Sequence, residues 1–204
     1  MRRSDRDVGA DGRRPPASAI VLAGGDSRRM GRDKSRLPVR GRPLIDLIVG
    51  RLAVRFDDIL ISASPGAEGR FPGRTVVPDA APGQGPLMGI ASALPRAKHD
   101  RAFVIACDIP EIDLAFVERL LELAVRADVV LPVHGRERYE PLFAVYRRSV
   151  AGAARDILAA GGRSVLELLG RVRVELVPVP RGVRIRNINT AADYRKLVRG
   201  RPPL

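Results

Sequence analysis

The residues best equipped for chemistry are concentrated at positions 22–34, which read LAGGDSRRMGRDK. The stretch follows an apolar run, Ala19-Ile20-Val21-Leu22. Backbone N–H groups can crowd an anion only where side chains are absent, and Gly24 with Gly25 supplies such a place. Arg28, Arg29, Arg32 and Lys34 add positive charge within a few residues. The pattern predicts a phosphate-binding loop at the carboxyl end of a strand. Two aspartates end further apolar runs: Asp79 follows residues 74–77, and Asp108 follows the strongly apolar 101–107 (RAFVIAC). A carboxylate at the end of a buried strand suits Mg²⁺, which takes one or two carboxylates together with phosphate oxygens.

Spacing decides which phosphate loop this is not. A Walker A loop needs G-x-x-x-x-G-K-[ST]; here Gly25 and Gly31 stand too far apart, and Lys34-Ser35 comes two residues late. No G-x-G-x-x-G is present, so the dinucleotide fingerprint is missing as well.

The elements that must hold these residues alternate along the chain. Strands are predicted at 18–24, 58–63, 74–77, 101–107, 128–133, 141–146 and 172–179. Helices are predicted at 43–56, from Pro86 through Leu94, at 113–126, from a Ser149 cap to Ala160, from a Ser164/Glu167 capping box to Gly170, and at 191–199 after Thr190. Residues 37–43 read as a run leading into a turn. Strands alternating with helices imply an α/β fold, a single open, mostly parallel twisted sheet with helices on both faces. Ligands of such sheets lie beyond the carboxyl ends of the strands, where the glycine loop, Asp79 and Asp108 all fall. Residues 1–17 lack periodicity and read as a disordered extension, leaving one domain over 18–204.

The loop also resembles L-A-G-G-x-S-x-R-M-G-x-D-K, the signature of the molybdenum cofactor guanylyltransferases. These are nucleotidyltransferases with a nucleotide-diphospho-sugar-transferase, Rossmann-like type of fold. The likeness continues in order through Pro78-Asp79, Gly85-Pro86-Leu87-Met88-Gly89, Ala106-Cys107-Asp108-Ile109-Pro110, Glu140-Pro141-Leu142-Phe143-Ala144 and Asn187-Ile188-Asn189-Thr190. It covers residues 18–198. The resemblance implies Mg²⁺-dependent transfer of GMP from GTP to Mo-molybdopterin, releasing diphosphate. Arg29, Lys34 and Asp108 are then the catalytic residues, with Asp108 holding the metal. Leu22, Ala23, Gly24, Gly25, Ser27, Lys34, Ser62, Asp79, Gly85 and Asp108 would bind the nucleotide, and Asn187 and Asn189 the pterin. Ser62 departs from an asparagine frequent in the family. Related cytidylyltransferases resemble L-A-A-G, so Gly24 is expected to leave room for a purine. Asn187 and Asn189 could instead satisfy backbone groups ahead of Thr190. Alternatives within the fold are a CTP-using enzyme or one acting on a sugar phosphate or another small phosphate.

Composition bounds the remaining possibilities. The net charge is +13, yet only three of 36 basic residues are lysines, and the arginines are scattered without a block. Aromatic residues make up 4%, too few for base-stacking platforms, so a nucleic-acid-binding module is the remote alternative. One cysteine, Cys107, excludes a disulfide framework and fits a cytoplasmic location. No run is long enough to span a membrane, and no signal-like segment opens the chain. The expected partners are GTP, Mo-molybdopterin and proteins that deliver the pterin or accept the finished cofactor. No nucleic acid or membrane is expected, and the enzyme would be a monomer or weak homo-oligomer.

Overall fold

The computed structural model describes residues 16–24, 34–135 and 137–199. Gly25, Ser27, Arg28, Arg29 and Arg32 therefore lie outside the described residues, as does the expected extension up to residue 15. Ala17, placed in that extension by the sequence reading, is already packed in the core.

The elements run β1 (Ser18–Leu22), β2 (Pro38–Val39), β3 (Arg42–Pro43), α1 (Leu44–Leu52), β4 (Ile59–Ala63), β5 (Thr75–Pro78), α2 (Pro86–Ala93), β6 (Arg101–Ala106) and α3 (Leu114–Leu123). They continue through β7 (Val129–His134), β8 (Arg138–Tyr139), β9 (Phe143–Arg147), α4 (Val150–Ala159), α5 (Val165–Leu169), β10 (Val174–Pro178) and α6 (Ala191–Arg199). One sheet has the order β10-β7-β9-β6-β1-β4-β5, with β8 also beside β7. β1 pairs in parallel with β4 and β6, β4 with β5, and β7 with β10. The expected open, mostly parallel α/β sheet is borne out.

The exception is β9, antiparallel to both β6 and β7. The short link from β7 cannot make the long crossover a parallel partner requires, so the chain folds straight back. Because β9 reverses direction twice relative to its neighbours, β6 and β7 point the same way. All parallel strands thus open on one edge of the sheet.

Both faces are covered. On one, α1 and α3 bury Leu44, Ile48, Leu52, Phe116, Val117, Leu120 and Leu121 against Ile61, Phe103, Ile105 and Phe143. On the other, α2, α4 and α5 bury Leu87, Ile90, Ile157 and Leu168 against Ile20, Val104, Leu131 and Tyr146. Coverage on both sides explains why β6 is apolar almost throughout.

Local details depart from the sequence reading for identifiable reasons. Residues 37–43 form the β2–β3 hairpin, turned at Arg40 and Gly41, both at positive φ. The first helix stops at Leu52, which frees Phe56 to fold back and stack 6.1 Å from Phe103. Ser149 sits at the N-cap of α4 but makes no side-chain cap bond. Ser164 caps α5 through the Glu167 N–H at 3.4 Å, while the Glu167 carboxylate turns to Arg171. The fuller box is at α6: Thr190 Oγ1 accepts from the Asp193 N–H, and Asp193 accepts from the Thr190 N–H at 2.9 Å. Among the described residues no helix is long and apolar enough to cross a membrane.

Phe103 lies at the centre of this packing, fully buried and edge-on to Phe143 at 4.9 Å. Phe103→Ala should lower unfolding free energy by about 3–5 kcal/mol, read from urea denaturation.

Candidate active site

The site begins where β6 runs out. The Cys107 N–H still pairs with the Leu22 carbonyl at 3.0 Å, extending the β1–β6 ladder by a residue, so Asp108 emerges beside the start of the glycine loop. Lys34, at the head of a short 3₁₀ turn, reaches Asp108 Oδ2 with its Nζ at 3.0 Å. The same ammonium donates to Asn189 Oδ1 at 3.0 Å, and Asn187 Nδ2 approaches Asp108 Oδ1 at 3.4 Å. Between the two asparagines, the Ile188 N–H donates to the Asp108 carbonyl at 2.8 Å. Residues far apart in the chain thus meet around the Lys34–Asp108 pair. The asparagine-bearing segment leaves the sheet where Val179 N–H bonds the Val133 carbonyl, and buries Ile185 and Ile188 on its way. The alternative task for the asparagines, satisfying backbone groups before α6, falls instead to the Asp193 carboxylate, which receives the Asn189 and Thr190 N–H groups.

A second carboxylate lies on the same edge, beyond β4 and β5. The Asp79 N–H continues the ladder to the Ala63 carbonyl at 2.8 Å. Its side chain is buried, with Oδ1 accepting from the Ser62 hydroxyl at 2.6 Å. Desolvation raises the Asp79 pKa above the usual carboxylate range, partly offset by the Ser62 hydrogen bond. Two glycines make room for the arrangement. A Cβ on Gly24 would lie 2.8 Å from Asp79 Oδ2, and one on Gly89 in α2 would lie 2.6 Å from Ser62 Oγ.

The geometry adds to two of the expectations. The position a methyl would take on Gly24 is filled by the Asp79 carboxylate. Ser62 is 1% exposed, and its hydroxyl donates to Asp79. Gly85 stands at the N-cap of α2 with φ of 74°, a conformation that favours glycine. Leu22 and Ala23 line the end of β1, where the Ala23 N–H holds the Ser62 carbonyl at 2.7 Å. Gly89 was present in the sequence as the last residue of G-P-L-M-G, but only the packing reveals that it clears space for Ser62.

Among the described residues no group of three or more His, Cys, Asp or Glu side chains could form a metal cage. Asp108 nonetheless fits a hard divalent cation. Its carboxylate is largely shielded from solvent and already carries a positive partner in Lys34. One carboxylate completed by phosphate oxygens is a usual Mg²⁺ arrangement.

With this geometry in place, comparison with known proteins decides the family. The model of the MobA-like NTP transferase domain matches residues 19–174. The chain belongs to that family. A relative in Mycobacterium avium, named a probable molybdenum cofactor guanylyltransferase, is 37% identical over 191 residues, covering 90% of this chain and 96% of the relative. A solved molybdopterin-guanine dinucleotide biosynthesis protein A from Archaeoglobus fulgidus superposes with a TM-score of 0.77 at 25% identity, covering 88% of this chain and 96% of that one. A cytidylyltransferase acting on 2-C-methyl-D-erythritol 4-phosphate, from Thermus thermophilus, has the same fold, with a TM-score of 0.68 over 90% of this chain and 97% of its own, at 20% identity. The chain is therefore a nucleotidyltransferase of the MobA-like type, as the glycine-loop signature implied.

The raised Asp79 pKa has a consequence for stability. A carboxyl that holds its proton more tightly when folded stabilises the native state less as pH rises from about 4 through its folded pKa. Asp79→Asn keeps an acceptor for Ser62 and removes the charge. The variant's advantage in urea midpoint over the parent should grow across that window and then level off; a constant difference would contradict the assignment.

Proposed function

We propose that this chain transfers GMP from GTP to the terminal phosphate of Mo-molybdopterin, giving the guanine dinucleotide form of the cofactor and diphosphate. The observation that carries the reading is the cluster in which Lys34 pairs with Asp108 and holds Asn189 while Asn187 approaches Asp108. In this reading the donor and acceptor phosphates would meet beside it.

Such a transfer is mainly a problem of charge and position. Two anions are brought within bonding distance, and a phosphate oxygen of the acceptor forms a bond to the α-phosphorus as the bond to diphosphate breaks. The acceptor phosphate is already ionised, so no general base is required. Asp108 would hold the divalent cation, Mg²⁺ in this reading, whose chemistry is to neutralise phosphate charge and polarise the α-phosphoryl group. Lys34 is paired with Asp108 and could turn its ammonium to a phosphate oxygen of the nucleotide. Charge-assisted hydrogen bonds of this kind contribute about 1.5–3 kcal/mol each. Arg29 and Ser27, with the Gly24-Gly25 backbone, would hold the triphosphate. Asn187 and Asn189 would contact the acceptor.

Asp79 would take the base. Guanine presents a ring N–H beside an exocyclic amine, two donors that a carboxylate can accept together, whereas adenine presents an acceptor there. Gly24 and Ser62 then act on base choice by giving Asp79 its room and its orientation.

Diphosphate release that depends jointly on GTP, Mo-molybdopterin and Mg²⁺ tests the function. Turnover with CTP in preference to GTP, or with a sugar phosphate in place of the pterin, would overturn it. In the same assay Asp108→Ala should reduce kcat by at least about 100-fold, the scale on which electrostatic contacts to the reacting group act. Arg32→Ala should leave kcat within about twofold, because Arg32 falls at a variable position of the glycine-loop signature.

A further inference from the structure

The function so far assigns no role to a third half-buried acid on the same edge of the sheet. Glu140 sits in the break between β8 and β9, its N–H bonded to the Pro132 carbonyl at 3.0 Å. The β6–β9 register gives its position relative to Asp108. Ile105 pairs with Phe143 at the end of that ladder, and the next bond joins the Ala106 N–H to the Leu142 carbonyl. The Phe143 N–H then bonds the Glu140 carbonyl at 3.0 Å, so the chain turns over 140–143 with Glu140 at the head of the turn. Both acids therefore stand beyond the last paired residues of adjacent strands, Asp108 after β6 and Glu140 before β9. The reach from β6 across β9 to β7 is two strand spacings, about 10 Å. A fused pterin with its phosphomethyl arm is of comparable length.

The surroundings of Glu140 are those of an acceptor awaiting a ligand. Its Oε1 lies 3.4 Å from Arg138 Nε and 3.5 Å from His134 Nε2. Oε2 has no partner among the described residues. His134 Nε2 is itself shut off from solvent without a hydrogen bond. His134 pairs with Arg138 across the β7–β8 ladder, and Pro132 stands opposite Glu140, so His134, Arg138 and Glu140 share one face of the sheet. That face also carries Cys107 and the buried Ile185 and Ile188 of the asparagine-bearing segment. Desolvation raises the Glu140 pKa despite the nearby Arg138, so the carboxylate is held where water solvates it poorly. A poorly solvated, half-used carboxylate gains most from ligand donors.

We propose that Glu140 is a specificity-determining residue for the acceptor, accepting the ring N–H and exocyclic amine of the pterin's pyrimidinone edge while the acceptor phosphate lies at Asp108 and Lys34. The assignment rests on the reading of the acceptor as a pterin. It gives the cleft two reading heads of like chemistry, Asp79 for the base of the donor and Glu140 for the acceptor.

The experiment titrates the full-length protein by fluorescence with pterin-6-ylmethyl phosphate and with its lumazine counterpart, in which an oxo group replaces the amine. GTP affinity is measured in parallel. The parent protein should favour the pterin by about tenfold or more, the effect of losing a hydrogen bond to a charged group. Glu140→Gln, of equal size, should abolish that preference and leave GTP affinity within about twofold, and Glu140→Ala should do the same. Retention of the preference in both variants would overturn the assignment while leaving the pterin acceptor in place. Loss of GTP affinity with pterin affinity intact would overturn it in favour of a base contact. Failure of the parent protein to bind either pteridine would instead remove the acceptor reading, and this assignment with it.

Discussion

The ion pair between Lys34 and Asp108 is the interaction on which the rest of the site depends. A carboxylate at the end of a buried strand would be costly if left alone, and an ammonium packed beside it removes most of that cost. The pair also ties the segment after β1 to the segment after β6, and through Asn187 and Asn189 to the far end of the chain.

The sheet supplies the distances. Parallel strands deliver their ends to one edge at a regular spacing, and the loops there inherit positions fixed by the core beneath. The ladders run on by a residue at each site, through Asp79 itself and through Cys107 just before Asp108, so both carboxylates start from rigid backbone. The reversed strand β9 matters for the same reason. It brings 140–142 back to the working edge, which a parallel strand at that position could not do.

Much of this was legible in the sequence. Apolar runs of strand length marked the sheet, and the residues that ended them marked its working edge. Asp108 and Lys34, both singled out from the sequence, lie in contact in the fold. What stayed hidden depended on packing between segments distant in sequence. Nothing in LAGG says that Asp79, 55 residues later, will lie against Gly24. That Ser62 would donate to the same carboxylate was equally out of reach. The direction of β9 could not be read from its apolar pattern, since a strand buried on both faces looks alike in either sense. Phe56 was assigned to a helix because its spacing fits one, and only the fold shows it returning to stack on Phe103.

The α6 helix has a consequence for how the protein is made. It buries no residue completely, yet its Tyr194 hydroxyl bonds the Pro38 carbonyl of the first hairpin, clasping the end of the chain to a point four residues past Lys34. Asn189 and Asn187 stand just before that helix. A ribosome must therefore release nearly the whole polypeptide before the Lys34–Asp108–Asn189 constellation can close. A nascent chain that has completed every strand through β10 still lacks the two asparagines that border this carboxylate and ammonium.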